Sequence, residues 1–252
     1  MFTNKNILIT GATSGIGKSV LQKIISENPK RIVILARNLK KSRYFTTKYP
    51  ICISYYLDLS DKKSIDSLHL KTSFDYIFFN AGIGVAEKSS PLKVNFYNHV
   101  YLFNRIKDKH LNKNCLIINT TSAAGKKYEN KVALLVKNIH QKNFDKKVGN
   151  KFVEYCLSKK GNHAFTIYLQ NNGINAISIH PGLVDTKIFT GKQNIFHKIL
   201  MKFIKPVTVD TSSNYFLQAL QDIQPAGYYE KGKINKSFPS SANQIANYIH
   251  II

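Results

Sequence analysis

The sequence predicts an α/β fold: a single Rossmann-like, doubly wound parallel sheet of about seven strands with helices on both faces. Three observations predict it. Short apolar segments alternate with segments of helical period along most of the chain. The first strand runs straight into a glycine-rich turn and a helix. The conspicuous polar and glycine residues fall at or just after the ends of the apolar segments, the edge where open sheets bind ligands.

Each element follows in order. KNILIT at 5–10 is the first strand, and TGATSGIG at 10–17 is the turn. The helix over about 15–27 puts Val20, Leu21, Ile24 and Ile25 on one face, and Asn28-Pro29 ends it. RIVILA at 31–36 is apolar almost throughout, as a strand buried on both faces requires. A short helix at about 38–47 leads to a third strand at about 51–57, which closes on Asp58. A helix is expected from about Ser60 to Leu70. FDYIFF at 74–79 is the fourth strand and runs into Asn80-Ala81-Gly82. A long helix covers about 92–109, and CLIINTTS at 115–122 is the fifth strand. Residues 124–150 read as an excursion with one short helix near 132–139. A helix over about 150–171 stops at Asn172-Gly173, and INAISIHP is the sixth strand. Residues 185–206 are expected to be helical, with 187–206 either a lid over substrate or an ordinary helix packed on the core. A helix over about 208–221 is capped by Thr208 or Asp210. AGYYE at 226–230 makes the seventh strand, and a last helix covers about 241–250.

Composition narrows the class. No apolar stretch approaches the length of a membrane span, and the first strand begins too early for a signal peptide. The three cysteines, Cys52, Cys115 and Cys156, are odd in number and far apart. They fit a reducing, cytoplasmic setting rather than a disulfide framework or a metal site. The formal net charge is +23. Its lysines are spread along the chain without an arginine cluster or basic tail, which reads as a solvated surface and not as a nucleic-acid footprint.

The chemistry concentrates at the strand ends. Gly11, Gly15 and Gly17 let the backbone turn tightly and approach a pyrophosphate, and the following helix offers free N–H groups to the phosphates. A dinucleotide fold that takes NAD usually carries an acid at the end of the second strand. Here Ala36 is followed by Arg37, and no Asp or Glu lies between 28 and 57. A guanidinium suits a 2′-phosphate, so NADP(H) is expected over NAD(H), with Lys18 as a further cation. Tyr155 and Lys159 stand four apart on one helix face, where the ammonium is expected to lower the phenol's pKa. Thr121 and Ser122 are rival strand-end hydroxyls, and only one of two neighbours in a strand can aim at a site.

Five pieces now stand in order: TGATSGIG at 10–17, Asn80-Ala81-Gly82, TTSAAG at 120–125, YCLSK at 155–159 and PGLVDT at 181–186. Together they resemble the short-chain dehydrogenase/reductase family over essentially the whole chain. GIGK, YCLSK and HPGLVDT look most like its retinol dehydrogenase and protochlorophyllide reductase-related branch.

The resemblance implies an oxidoreductase moving hydride between a nicotinamide and a small carbonyl or alcohol. Tyr155 would be the acid/base, Lys159 would also hold the nicotinamide ribose, and Ser122 would hydrogen-bond the substrate oxygen. Val94-Asn95-Phe96-Tyr97-Asn98 resembles the family's VNxxG, which makes Asn95 the relay residue in preference to Asn98. The cofactor would meet Gly11, Thr13, Ser14, Gly15, Ile16 and Gly17 at the pyrophosphate. It would meet Asp58 and Leu59 at the adenine, and Asn80, Ala81 and Gly82 near the ribose. Pro181, Gly182, Val184 and Thr186 would lie near the nicotinamide.

Family members are usually dimers or tetramers. Two departures stand out: Asn80 to Asn95 is shorter than the family norm, and Ser122 to Tyr155 is markedly longer. The competing readings are a non-catalytic NADPH-binding scaffold and, less favoured by the glycine spacing, an epimerase or dehydratase on an extended fold.

Overall fold

The computed structural model describes residues 1–184, 206–221, 223, 227–235 and 237–252. Its centre is one sheet of strands β1 (Asn6–Thr10), β2 (Arg31–Ala36), β3 (Cys52–Tyr56), β4 (Phe74–Phe79), β5 (Leu111–Thr120), β6 (Ala176–His180), β7 (Tyr228–Glu230) and β8 (Lys233–Ile234). The order across the sheet is β3-β2-β1-β4-β5-β6-β7-β8. All neighbours are parallel except β7 and β8. The count is therefore eight strands rather than about seven. The extra one is a two-residue, exposed hairpin arm, too short to leave an apolar pattern in the sequence.

The helices are α1 (Gly15–Ile25), α2 (Leu39–Lys48), α3 (Lys62–Asp66), α4 (Asn98–His110), α5 (Val132–His140), α6 (Lys151–Asn171), α7 (Val209–Gln221) and α8 (Ser241–Ala246). Strand residues alternate between two cores, which is why β1 and β2 read as continuous apolar runs. Ile7, Ile9, Ile32 and Ile34 pack on one face with Leu21 and Ile24 of α1, Phe45 of α2 and Phe216 of α7. Leu8, Val33, Leu35 and Phe79 pack on the other with Phe103 of α4, Leu135 of α5, Phe165 of α6 and Ile245 of α8.

Several boundaries differ from the sequence reading. The helix expected over 60–70 is one short piece, α3, because the Asp61 carboxylate accepts from Lys63 N at 3.0 Å and starts it late. The helix expected over 92–109 opens with a single π-helical turn at Lys93–Tyr97. The last helix breaks after Ala246 and resumes as a 3₁₀ turn at Ile249–Ile251. Of the two cap candidates for α7, Thr208 accepts from Thr211 N at 3.0 Å. The expected lid at 187–206 lies, but for Pro206, outside the described residues.

Among the described residues three histidines are buried: His99 at 2%, His163 at 7% and His180 at 7% exposure. Desolvation pushes each down to about 4 from the ordinary 6.5. Between pH 4 and 6.5 the unfolded chain thus binds protons that the folded chain refuses, so stability falls as pH falls through that window. Each histidine contributes up to about 1.4 kcal/mol per pH unit there. Urea midpoints measured from pH 7 to pH 4.5 should drop steeply, and His99→Gln should flatten the slope.

Candidate active site

The C-terminal ends of β1, β4, β5 and β6 converge on a groove of about 590 Å³. Its floor is the turn after β1. Gly11 and Gly15 adopt left-handed backbone at φ +70 and +53. A Cβ on Gly11 would sit 2.6 Å from Ala81 Cα, and one on Gly17 would sit 2.3 Å from Gly11 O. Glycine is required at both places by close packing of backbone on backbone. Ser14 flanks α1 without capping it by its side chain, and the first turn holds no acid, so the amides there remain available to an anion.

Asn80 ties the turn to the neighbouring strands. Its Nδ2 donates to Thr10 O and Gly11 O at 3.4 and 3.3 Å, and its Oδ1 accepts from Thr120 Oγ1 at 3.3 Å. Asn80 and Ala81 also donate their backbone N–H groups to Thr10 Oγ1, both at 3.0 Å. Asn80 is thus a structural tie at the edge of the groove.

Thr13, Ser14, Ile16, Arg37, Asp58, Leu59 and Gly82 also line the groove. Arg37 is exposed at the end of β2. Asp58 does not cap α3. Its Oδ1 instead accepts from Ser60 N at 2.8 Å and Ser60 Oγ at 2.7 Å, which fixes the bend after β3. Lys18 is exposed and is not among the groove residues, whereas Lys41 of α2 is one of them. The sequence reading missed Lys41, although the Lys40-Lys41 pair following Arg37 was a visible signal.

The far end of the groove gathers Ser122, Tyr155, Lys159, Pro181, Gly182 and Val184. Thr121 and Ser122 lie just past the end of β5, and both line the groove and reach α6, so alternation along a strand does not separate them. Thr121 Oγ1 donates to Lys159 O at 2.6 Å and so anchors α6 to the sheet. Ser122 is hydrogen-bonded to the Tyr155 side chain and also accepts from Ala124 N at 3.2 Å. Lys159 Nζ donates to Thr120 O at 3.1 Å and stands 5.9 Å from the Tyr155 ring centre.

The electrostatics depart from the sequence expectation. Burial pushes the Tyr155 phenol up to about 12, and the opposing influence is the Ser122 hydrogen bond rather than the ammonium. Burial also pushes Lys159 down to about 8.

Asn95 lies on the π-helical turn, with its side chain on the loop after β4. Its Oδ1 accepts from Ile83 N at 2.7 Å, and its Nδ2 donates to Ile83 O at 3.0 Å and Ser158 Oγ at 3.2 Å. Asn98 turns away and donates to Leu59 O at 2.6 Å. Thr186 falls outside the described residues. His180, unremarked in the sequence reading, also lines the groove, and its buried Nδ1 has no partner among the described residues. Among those residues no group of three or more His, Cys, Asp or Glu could hold a metal ion. None of the described helices is long and apolar enough to cross a membrane.

A doubly wound sheet with a glycine cradle under one end of its groove and a Ser, Tyr and Lys cluster at the other defines a dinucleotide-fold domain. The family profile for short chain dehydrogenase matches residues 5–134, and the chain belongs to that family. No curated protein matches the sequence.

Solved structures do match. A short chain dehydrogenase/reductase from Burkholderia phymatum in complex with NAD has TM-score 0.66 at 17% identity, over 91% of this chain and 89% of that one. A short chain dehydrogenase from Burkholderia cenocepacia in complex with NADP has TM-score 0.62 at 15% identity, over 98% and 93%. The 3-ketoacyl-(acyl-carrier-protein) reductase from Brucella melitensis complexed with NADH has TM-score 0.63 at 18% identity, over 91% and 96%. At these identities the similarity is one of fold.

Gly11→Ala adds a Cβ against fixed backbone at a left-handed position. It should destabilise the chain by roughly 2 kcal/mol or more, read as a lower thermal midpoint.

Proposed function

We propose that the protein is an NADP(H)-dependent oxidoreductase that reduces a carbonyl, or oxidises the corresponding alcohol, with Tyr155 as the acid/base. The observation that carries this reading is the Ser122–Tyr155 hydrogen bond beside Lys159, at the opposite end of one groove from the glycine cradle. The cradle fits a dinucleotide: its glycines leave no room for side chains, and the α1 amides face an anion without a competing acid. Gly11–Gly17 would hold the pyrophosphate, Arg37 and Lys41 the 2′-phosphate, and Asp58 and Leu59 the adenine. Asn80, Ala81, Gly82 and Lys159 would border the ribose, with Pro181, Gly182, Val184 and Thr186 near the nicotinamide. A bound nicotinamide would supply or accept the hydride.

The chain's own groups handle the proton. Ser122 would donate to the substrate oxygen and oppose charge building on it. Tyr155 would give its proton to that oxygen in reduction, or take the alcohol's proton in oxidation. A phenol held protonated by burial suits donation, which favours reduction. Asn95 grips both backbone groups of Ile83 and would position the loop beside the catalytic helix and its relay.

GIGK, YCLSK and HPGLVDT favour the retinol dehydrogenase and protochlorophyllide reductase-related branch. A cytoplasmic homodimer or homotetramer without a nucleic-acid partner completes the reading.

Tyr155→Phe should lower turnover at least about 100-fold while leaving the NADPH dissociation constant unchanged. Stopped or steady-state NADPH consumption against a panel of aldehydes and ketones measures it. Equal rates in the two proteins would remove Tyr155 from the chemistry, and no turnover by wild type would return the chain to a cofactor-binding scaffold. Arg37→Asp should weaken NADPH far more than NADH in fluorescence titration. Equal small losses for both would overturn the cofactor assignment.

A further inference from the structure

A second cavity, of about 580 Å³, opens beside the catalytic groove. Five lysines line it, Lys88, Lys93, Lys146, Lys147 and Lys151, against two carboxylates, Asp145 and Glu154. Two of the lysines are engaged. Lys93 pairs with Asp145, and Lys151 donates to the backbone oxygens of Glu87 and Lys88. Glu154 is occupied as well, accepting from Ser90 Oγ at 2.8 Å. The side chains of Lys88, Lys146 and Lys147 are exposed and have no partner among the described residues. A concave surface lined by one sign of charge focuses its field on whatever enters. The first amides of α6 do not carry the site, because Asn150 Oδ1 already accepts from Phe152 N and Val153 N.

The cavity borders the groove, with one shared lining residue and two pairs of sequence neighbours split between them. Val94 lines both. Ser60 of the cavity follows Leu59 of the groove, and Glu154 precedes Tyr155. One wall is the long segment between Ser122 and Tyr155, and that wall is fixed in place. Phe144 packs edge-on against Tyr97 with ring centres 5.1 Å apart, Val148 is buried, and Lys146 O accepts from Asn138 Nδ2 at 3.3 Å.

Resting on the catalytic reading above, we propose that this cavity takes the anionic end, a carboxylate or a phosphate, of a substrate whose carbonyl lies at Tyr155. Lys88, Lys146 and Lys147 select for that charge and take no part in the chemistry. The substrate class is then a carbonyl compound with a negative group remote from the reacting carbon.

Matched pairs of substrates test this: para-carboxybenzaldehyde against its methyl ester, and glyceraldehyde phosphate against glyceraldehyde. Wild type should favour the charged member of at least one pair tenfold or more, through KM, and the pair that responds tells carboxylate from phosphate. The preference should shrink as salt is raised. The triple variant Lys88→Gln, Lys146→Gln, Lys147→Gln should raise KM for the charged member at least tenfold, with kcat, the neutral member's KM and the NADPH dissociation constant unchanged. Equal KM values within both pairs, or a preference that survives in the variant, would overturn the proposal.

Calorimetry with para-carboxybenzaldehyde and with inorganic pyrophosphate, on protein saturated with NADPH, separates this idea from the catalytic one. Binding that disappears in the triple variant supports the cavity even where no aldehyde is turned over. Absence of binding by both anions to wild type would sink it.

Discussion

One buried polar knot decides where everything else can sit. Thr10 Oγ1 accepts from the Asn80 and Ala81 amides, donates to Phe78 O at 3.3 Å and lies 3.3 Å from His99 Nε2. Asn80 extends the knot to the Gly11 carbonyl and to Thr120. The ends of β1, β4 and β5 and the first turn of α4 are thereby held at one level. Buried polar groups demand partners, so a small slip of any one strand would orphan several at once. This is also why Gly11 and Gly17 admit no side chain. The glycine turn is pressed against Asn80 and Ala81 rather than merely flexible.

Helix α6 is registered on that same edge by backbone, not by side-chain packing alone. Thr120 O accepts from Lys159 Nζ and from Asn162 Nδ2, the latter at 2.9 Å, and Thr121 Oγ1 grips Lys159 O. Gly161 allows the ring of Phe96 to lie on the helix backbone, where a Cβ would come within 2.5 Å of it. Gly125 lets the strand-end turn approach Lys160 N in the same way. With the helix fixed at Thr120 and Thr121, Ser122 and Tyr155 are left one hydrogen bond apart. Lys159 is held by the sheet at Thr120 O, and Tyr155 by its hydrogen bond to Ser122.

The parts of this arrangement that were legible in the sequence are those governed by short-range rules. Apolar runs marked β1, β2 and β4 closely, since strands buried on both faces have little choice of composition. The four-residue step brought Lys159 beside the Tyr155 ring, whereas strand alternation did not separate Ser122 from Thr121, since both lie past β5 and reach α6. What escaped depends on tertiary environment. The phenol's pKa rises because burial outweighs the Ser122 hydrogen bond, and depth of burial has no local signature. His180 looks in the sequence like one more strand residue, and only the closing of β6 against α6 makes it a buried, groove-lining imidazole. The π-helical turn at Lys93–Tyr97 is likewise invisible in a lysine- and asparagine-rich stretch. Its widened turn is what lets Asn95 reach both backbone groups of Ile83.

The long segment between Ser122 and Tyr155 shows how a fixed chemical core carries a variable wall. Val132, Leu135 and Ile139 join the same core as Ile245 of α8, so α5 is part of the globule and not an appendage. Lys160, fully buried on α6, pairs with Glu129 and donates to Ser241 Oγ at 3.0 Å. Glu129 is exposed but the Lys160 ammonium is fully buried, so losing the pair would strand a buried charge, and the contact acts as a register constraint. It locks the segment, α6 and the C-terminal helix into one relation one residue from Lys159. The wall therefore inherits the precision of the strand-end knot through α6, while its exposed lysines remain free to vary without disturbing Ser122, Tyr155 or the glycine turn. The cavity wall and the Ser122, Tyr155 and Lys159 cluster share α6 but not a set of contacts, and that separation allows the wall to change while the cluster stays fixed.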